Sequence, residues 1–365
     1  MMIVSGRGID AAVGERLRAW VREDFGLDLI TIDATGYGAD VAAELWRGTC
    51  VDETAYAVKL SGAGSPAGLV VSAHLAQHGV RGAVGPVPTR NGRLWSQRAG
   101  RRLSVVPWVS DDRALSGVMG AEHWVSYGAL LADVHATPAT DAMARLLPRE
   151  NHTHERLAFT VRALDSQLCT SAAERDPADN LARALAHEWC AAADLVSTVL
   201  EHTHALGREL RARQTSRVIC HGDPHLGNVL LGRDSRVWLV DWDDAILAPR
   251  ERDLMFVIGG VIASAPVSPQ EQSLFFEGYG AAVVDPVRLA YYRCTRALDD
   301  LTYDAVQVVD IHRYAEPERA IALTKVREMF SPTGLARLAL PSFRELGLIP
   351  YPDPTNGSDV SGPNP

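Results

Sequence analysis

At 365 residues the chain has room for about two domains, and an apolar fraction of 47% allows a sizeable core. A formal net charge of −9 disfavours nucleic acid as a partner and suits a cationic small molecule. No apolar run reaches the roughly 18 residues of a membrane-spanning helix, and MMIVSGRGIDAAVGERLRAW lacks the layout of a secretory signal, so a cytoplasmic protein with no membrane partner is expected.

Residues 9–25 place Ala12, Val13, Leu17, Trp20 and Val21 near helical spacing and predict an amphipathic helix. TGYGAD follows at 35–40, with Gly36 and Gly38 leading into the apolar run Val41 to Trp46. TAYAVKL, residues 54–60, predicts a strand with Lys59 near its end. Pro66 sits in the first turn of a helix expected over 66–78. Asn91-Gly92 predicts a hairpin turn between two strands, and VVPWV at 105–109 a further strand. The polar connector SDDRALSG comes next, and the domain boundary is expected near 109–118.

Helix dominates thereafter. It is expected over 123–136, from Asp176-Pro177 to about Arg213 with a break inside, and over 251–262, 268–282 and 286–330. Residues 218–244 interrupt it as strand, loop, strand, tight turn, strand. The tail from Tyr351, rich in Pro, Gly, Ser and Asn, predicts disorder. This order describes an α+β protein: a small β-rich lobe over 1–109, a larger helical lobe over 110–345 and a tail over 346–365. A ligand would sit between the lobes.

Five scattered cysteines (Cys50, Cys169, Cys190, Cys220 and Cys294) with no C-x-x-C predict reduced, mostly buried thiols. Of 36 basic residues only Lys59 and Lys325 are lysine, so a lysine at a demanding place is less apt to be incidental.

The chemistry concentrates in VICHGDPHLGNVLLGRDSRVWLVDWDD. His221, Asp223 and Asn228 form H-x-D-x-x-x-x-N, and Asp241 follows a hydrophobic strand. Phosphoryl transfer needs this set of groups: one carboxylate to orient the attacking hydroxyl, and an amide and a second carboxylate to hold magnesium on the nucleotide phosphates. Each residue alone has an ordinary reading. Asp223 and Asn228 would be turn residues, and Asp241 a strand-end acid paired with an arginine. Spacings of five and 13 residues, with strands on both sides, make the joint pattern specific. His221 reads as a packing and hydrogen-bonding residue.

HGDPHLGNVLL with DWDD resembles the aminoglycoside phosphotransferase family, small-molecule kinases that share the bilobal protein-kinase-like fold. DWDDAILAPRERDLMFVIGG, FFEGYG at 275–280 and KVREMFSP at 325–332 are similar to spectinomycin phosphotransferases in particular. The resemblance implies Asp223 as catalytic base, Asn228 and Asp241 as Mg²⁺ ligands, and Lys59 as the lysine that grips the phosphates of ATP or GTP. It implies that Gly36 and Gly38 cover the nucleotide and that Val106 and Trp108 lie at the hinge that meets the base. Asp253, in ERDL, becomes a support of the catalytic loop. One departure stands out. The family pairs its lysine with a glutamate on the next helix, and the helix expected after Pro66 has no acidic residue.

Asp243, Asp244, Glu277, Asp299, Asp300 and Asp304 are candidates to line a pocket for an amine-bearing sugar, although solvated helix faces explain any one of them. Trp242 is suited equally to stacking on a sugar ring and to the core. The pairs His152/His154 and His202/His204 do not chelate within a helix, because i and i+2 diverge, and surface positions are expected. The leading expectation is phosphorylation of a hydroxyl on an aminoglycoside or aminocyclitol antibiotic, spectinomycin first. A metabolite kinase for choline, homoserine or a sugar, and a nucleotide-binding pseudokinase, are the alternatives.

Overall fold

A computed structural model describes residues 11–35, 43–62, 64–170 and 179–347. Gly36, Gly38, the Asp176-Pro177 pair and the tail from Tyr351 lie outside the described residues.

The N-terminal region is helix α1 (Ala11–Phe25) on an antiparallel sheet. The strands are β1 (Leu29–Ala34), β2 (Ala43–Cys50), β3 (Ala55–Ser61), β4 (Ser96–Arg98) and β5 (Arg101–Pro107), in the order β1-β2-β3-β5-β4. Leu17, Val21 and Phe25 of α1 pack against Trp46, Val58, Leu60, Leu103 and Val105. Each such side chain contributes about 1.5–3 kcal/mol when fully buried. Side chains alternate along a strand, so Val58 and Leu60 commit β3 to this core and turn Lys59 to the other face. Lys59 lies between Leu45 on β2 and Ser104 on β5.

The hairpin turn is not at Asn91-Gly92. Those residues close a loop, with Thr89 N donating to Arg93 O at 2.7 Å. The turn joining β4 to β5 is Ala99-Gly100, both at positive φ (50° and 74°), as a two-residue hairpin demands. An alanine in that conformation carries no sequence signal.

Helix α2 (Ala67–Gln77) follows β3, then α3 (Ala121–Ala136) and α4 (Asp141–Leu146) follow β5. The expected helix from 176 to 213 is two: α6 (Asn180–Ala191) and α7 (Ala193–Arg211), broken at Ala192, and preceded by α5 (Glu155–Asp165). The cap of α6 is Asp179, which accepts from Ala182 N at 3.0 Å. Strands β6 (Val218–Cys220), β7 (Val229–Leu231), β8 (Val237–Leu239) and β9 (Ile246–Ala248) form two small sheets, β6 with β9 and β7 with β8. Helices α8 (Glu251–Leu254), α9 (Pro269–Tyr279), α10 (Pro286–Val309), α11 (Glu316–Phe330) and α12 (Leu335–Glu345) complete the order. Among the described residues no helix is long and apolar enough to cross a membrane.

The chain forms two compact units. The first comprises Met1–Glu150, Thr215–Gly260 and Val267–Val283, and the second Asn151–Gln214, Val261–Pro266 and Val284–Pro365. The connector at 109–118 lies inside the first unit. It is tied to the β7–β8 hairpin, with the Ser110 side-chain Oγ donating to Leu231 O, Leu231 N donating to Asp112 O at 2.8 Å, and Arg113 bridging Leu230.

Two expectations fail in the second unit. Cys169 and Cys190 form a disulfide, with Cα atoms 5.7 Å apart, where reduced thiols were expected. The turn that follows α5 packs on α6, so residues 21 apart in sequence meet. Cys50, Cys220 and Cys294 are free, the last two buried. His152 and His154 are also not at the surface, being 2% and 7% exposed. One histidine from each pair meets the other: His154 Nε2 lies 2.7 Å from His204 Nδ1, while Arg162 donates to His204 Nε2 at 3.2 Å. Burial first lowers both imidazoles' affinity for protons, with His204 and Arg211 adding to it at His154 and Arg162, Arg208 and Arg211 at His204. The chain from Arg162 through His204 to His154 engages both His204 nitrogens and His154 Nε2.

Candidate active site

Asp223 lies in the first unit, in the loop between β6 and a 3₁₀ turn, Leu226–Asn228. The loop's shape starts at Gly222, where φ is +86° and an added Cβ would lie 2.1 Å from the carbonyl oxygen of Asp244. Only glycine meets both conditions. His221, fully buried, holds the loop from within: its Nε2 donates to Val240 O at 3.0 Å, its Nδ1 accepts from Asp223 N at 3.2 Å, and its ring lies 4.5 Å from that of Trp242. Tyr127 Oη donates to Pro224 O, and Asn228 Nδ2 donates to Asp223 O at 2.9 Å. The Asp223 carboxylate remains at the surface of this framework, 18% exposed, with His225 Nε2 3.5 Å from its Oδ2.

Asp253, at the end of α8, supports the loop. Its two oxygens accept the backbone N–H groups of His221 and Gly222, both at 2.8 Å. His135 Nε2 is 3.1 Å from Oδ2, and His135 Nδ1 is 2.7 Å from Tyr279 Oη. Burial alone would raise the Asp253 pKa, but His135, His221 and the Gly222 N–H outweigh it and hold the carboxyl below its ordinary range. His135, Cys220 and Asp253 place potential metal-binding atoms within 4.8 Å of one another. With the Asp253 oxygens committed to loop amides and His135, the cluster is a structural network.

The β7–β8 hairpin brings Asn228 and Asp241 to the same end. Val229 pairs with Leu239, and Val240 N donates to Asn228 O at 3.0 Å. Since the Asn228 nitrogen is spent on the Asp223 carbonyl, its amide oxygen is the group left to bind a cation. Asp241 takes a left-handed conformation, φ 64° and ψ 66°, unusual for a non-glycine residue, which turns its carboxylate out of the strand. One amide oxygen and one carboxylate are hard donors suited to magnesium.

Lys59 reaches this turn from the sheet. Its Nζ lies 2.9 Å from Asp241 Oδ1 and 2.8 Å from Asp243 Oδ2. Burial disfavours its charge, but the two carboxylates more than offset that and raise its pKa above the ordinary lysine value. Asp241 in turn is pushed up by burial and pulled further down by Lys59, with His221 and His225 helping.

The remaining predicted residues are placed as follows. Val106 pairs with Ala57 in the sheet, and the Trp108 N–H is engaged by Ala55 O at 2.9 Å, so that amide is not free for a nucleotide base. Asp244 and Glu277 are exposed in the first unit. Asp300 belongs to the second unit and accepts from Arg296 on its own helix at 2.8 Å. Trp242 is core: it is 6% exposed and donates to Leu239 O at 3.0 Å. Tyr127, His135, His225 and Tyr279 were not singled out from sequence. His225 lies inside the motif and was within reach; the others stand on α3 and α9 with no pattern linking them to the loop.

Comparison with known proteins gives a family and a fold. The sequence model of the phosphotransferase enzyme family matches residues 66–298. Protein StrN of Streptomyces griseus is 28% identical over 214 residues, which are 58% of this chain and 65% of that protein, so the match spans less than two thirds of its length. The crystal structure of spectinomycin phosphotransferase APH(9)-Ia with ADP and spectinomycin superposes with a TM-score of 0.80 at 25% identity, covering 90% of this chain and 98% of that one. An amicoumacin kinase with AMP-PNP, Ca²⁺ and its substrate shares the fold at a TM-score of 0.53 and 17% identity, covering 82% and 89%.

Proposed function

The chain belongs to the phosphotransferase enzyme family, and from that premise we propose that it transfers the γ-phosphate of ATP or GTP to a hydroxyl of an aminocyclitol or aminoglycoside, with spectinomycin the leading acceptor. The observation that carries this reading is the convergence of Lys59, Asp241 and the Asp223–Asn228 loop in one compact unit.

Asp223 accepts the hydroxyl proton and aims the oxygen at phosphorus; its backbone is pinned by Asn228 and His221, so the carboxylate needs little rearrangement. His225, 3.5 Å away, limits the positions that carboxylate can take. Lys59 offsets charge on the phosphates, where a fixed ammonium is worth more than a mobile one. Asn228 and Asp241 would hold Mg²⁺, which supplies charge neutralisation on the nucleotide. Asp244 and Glu277 are exposed acids of the same unit and suit a cationic acceptor. A cytoplasmic site of action, where nucleotide and magnesium are at hand, is part of this proposal. We also keep the lobe division at 109–118 as a functional one, phosphate grip before it and catalytic loop after it.

The test is transfer of labelled phosphate from ATP and from GTP to spectinomycin, other aminocyclitols, choline and homoserine. Label on an aminocyclitol is the expected result. Label only on choline or homoserine would replace the acceptor class, and binding without any transfer would make the chain a pseudokinase.

A further inference from the structure

The helix that follows the lysine strand carries no acidic residue, yet Lys59 is not left without a partner. Its ammonium is shared between Asp241 and Asp243, two carboxylates of one turn. They are not equivalent. Asp241 is assigned to the cation, so it cannot also serve as the lasting anchor of Lys59. Asp243 has no such second duty and makes the shorter bond, 2.8 Å.

The packing of α2 explains why the acid comes from the turn. At Gly68 an added Cβ would lie 2.3 Å from the carbonyl oxygen of Trp242 and 2.6 Å from its carbonyl carbon. The helix backbone rests directly on the Trp242–Asp243 peptide, and no side chain fits between them. Helix α2 reads AGLVVSAHLAQ and has no carboxylate to offer from any of its faces. The close approach instead braces the turn that carries Asp243.

We infer that Asp243 is the positioning residue for Lys59: a carboxylate on the turn after Asp241 does the orienting that α2 leaves undone. This rests on Lys59 being the phosphate-binding lysine, and it moves Asp243 from the acceptor pocket to the nucleotide side of the reaction. The departure from the family's lysine–glutamate pairing then becomes a substitution of one anchor for another.

The test uses the full chain and four variants: Asp243→Asn, Asp243→Glu, Lys59→Ala and the Lys59→Ala/Asp243→Asn double. Equilibrium binding of ATP and GTP is measured with and without Mg²⁺, alongside KM for nucleotide and for acceptor. Asp243→Asn, nearly isosteric and at an exposed site, should weaken nucleotide binding about tenfold, as expected for loss of a charge-assisted bond. The acceptor KM should stay put, and Asp243→Glu should recover part of the loss. In the double variant the Asn change should add less than about twofold to Lys59→Ala, because both remove one interaction. Multiplicative effects, or a rise confined to the acceptor KM, would overturn the inference while leaving the phosphotransferase reading intact. Wild-type protein that binds neither nucleotide would overturn the reading of Lys59 itself.

Discussion

Around Asp223 the restraints are buried or part-buried hydrogen bonds; around Lys59 they are two half-exposed side chains. The catalytic loop hangs on Asp253 through two backbone amides and is pinned again by His221, Tyr127 and Asn228. Lys59 is 24% exposed, and its partners Asp241 and Asp243 are 52% and 45% exposed. Buried bonds of the first kind carry stability, because an unmade one leaves a desolvated polar group. Ion pairs of the second kind carry little, because water competes for both charges. The loop is therefore part of the fold, whereas the grip is a functional fitting laid upon it.

Substitution can break this contrast. Asp253→Ala should cost the most, about 3–5 kcal/mol of stability, since it strips the partners from two buried amides and from His135. Thermal and denaturant unfolding would measure it. Its pH dependence has a definite sign. The folded carboxyl titrates below its ordinary value, so its stabilisation is present above about pH 4 and is lost as pH falls through the folded pKa. The variant should lack that acid-side loss.

A second buried acid sharpens the point by contrast. Asp304, in the second unit, is 6% exposed and lies 3.5 Å from the Lys325 ammonium. Burial, only partly offset by Lys325, pushes it up to about 6. A raised carboxyl stabilises the fold when protonated, and that contribution is lost as pH rises from about 4 through 6. Asp304→Asn should then be about 1–3 kcal/mol more stable than wild type at pH near 8, with the gap closing towards pH 4. A gap that does not vary with pH would contradict the assignment. The smallest effect on stability belongs to Lys59→Ala. It should shift unfolding by about 1 kcal/mol or less while weakening nucleotide binding. A large loss of stability would mean that the grip is structural after all.

How far the sequence revealed this follows from the kind of interaction. Asp223, Asn228 and Asp241 were legible because a short hairpin fixes them by chain spacing, and β3 was legible because Val58 and Leu60 alternate with Lys59. Helical periodicity likewise located α1 and α3, and the sheer length of the run to Arg213 called for a break, which falls between α6 and α7. What stayed hidden depends on distant contacts. The ties of the 109–118 connector run through backbone atoms, to which composition is blind. His135 links Tyr279 to Asp253 because α3 packs on α9. The Cys169–Cys190 bond and the burial of His152 and His154 have the same origin, whereas the Ala99-Gly100 turn is local and was hidden because alanine gives no signal for positive φ. Asp243 is the instructive case. Sequence placed it among the acids that could line a pocket for an amine-bearing sugar, whereas the fold brings Lys59 Nζ within 2.8 Å of its carboxylate.

Single-turnover phosphate transfer from bound nucleotide to spectinomycin, in wild-type protein and in Asp223→Asn, tests the central claim most directly. The account predicts transfer in wild type and a fall of about 10²–10⁴-fold in the variant, with nucleotide affinity nearly unchanged. Transfer by Asp223→Asn at a rate near wild type would contradict it.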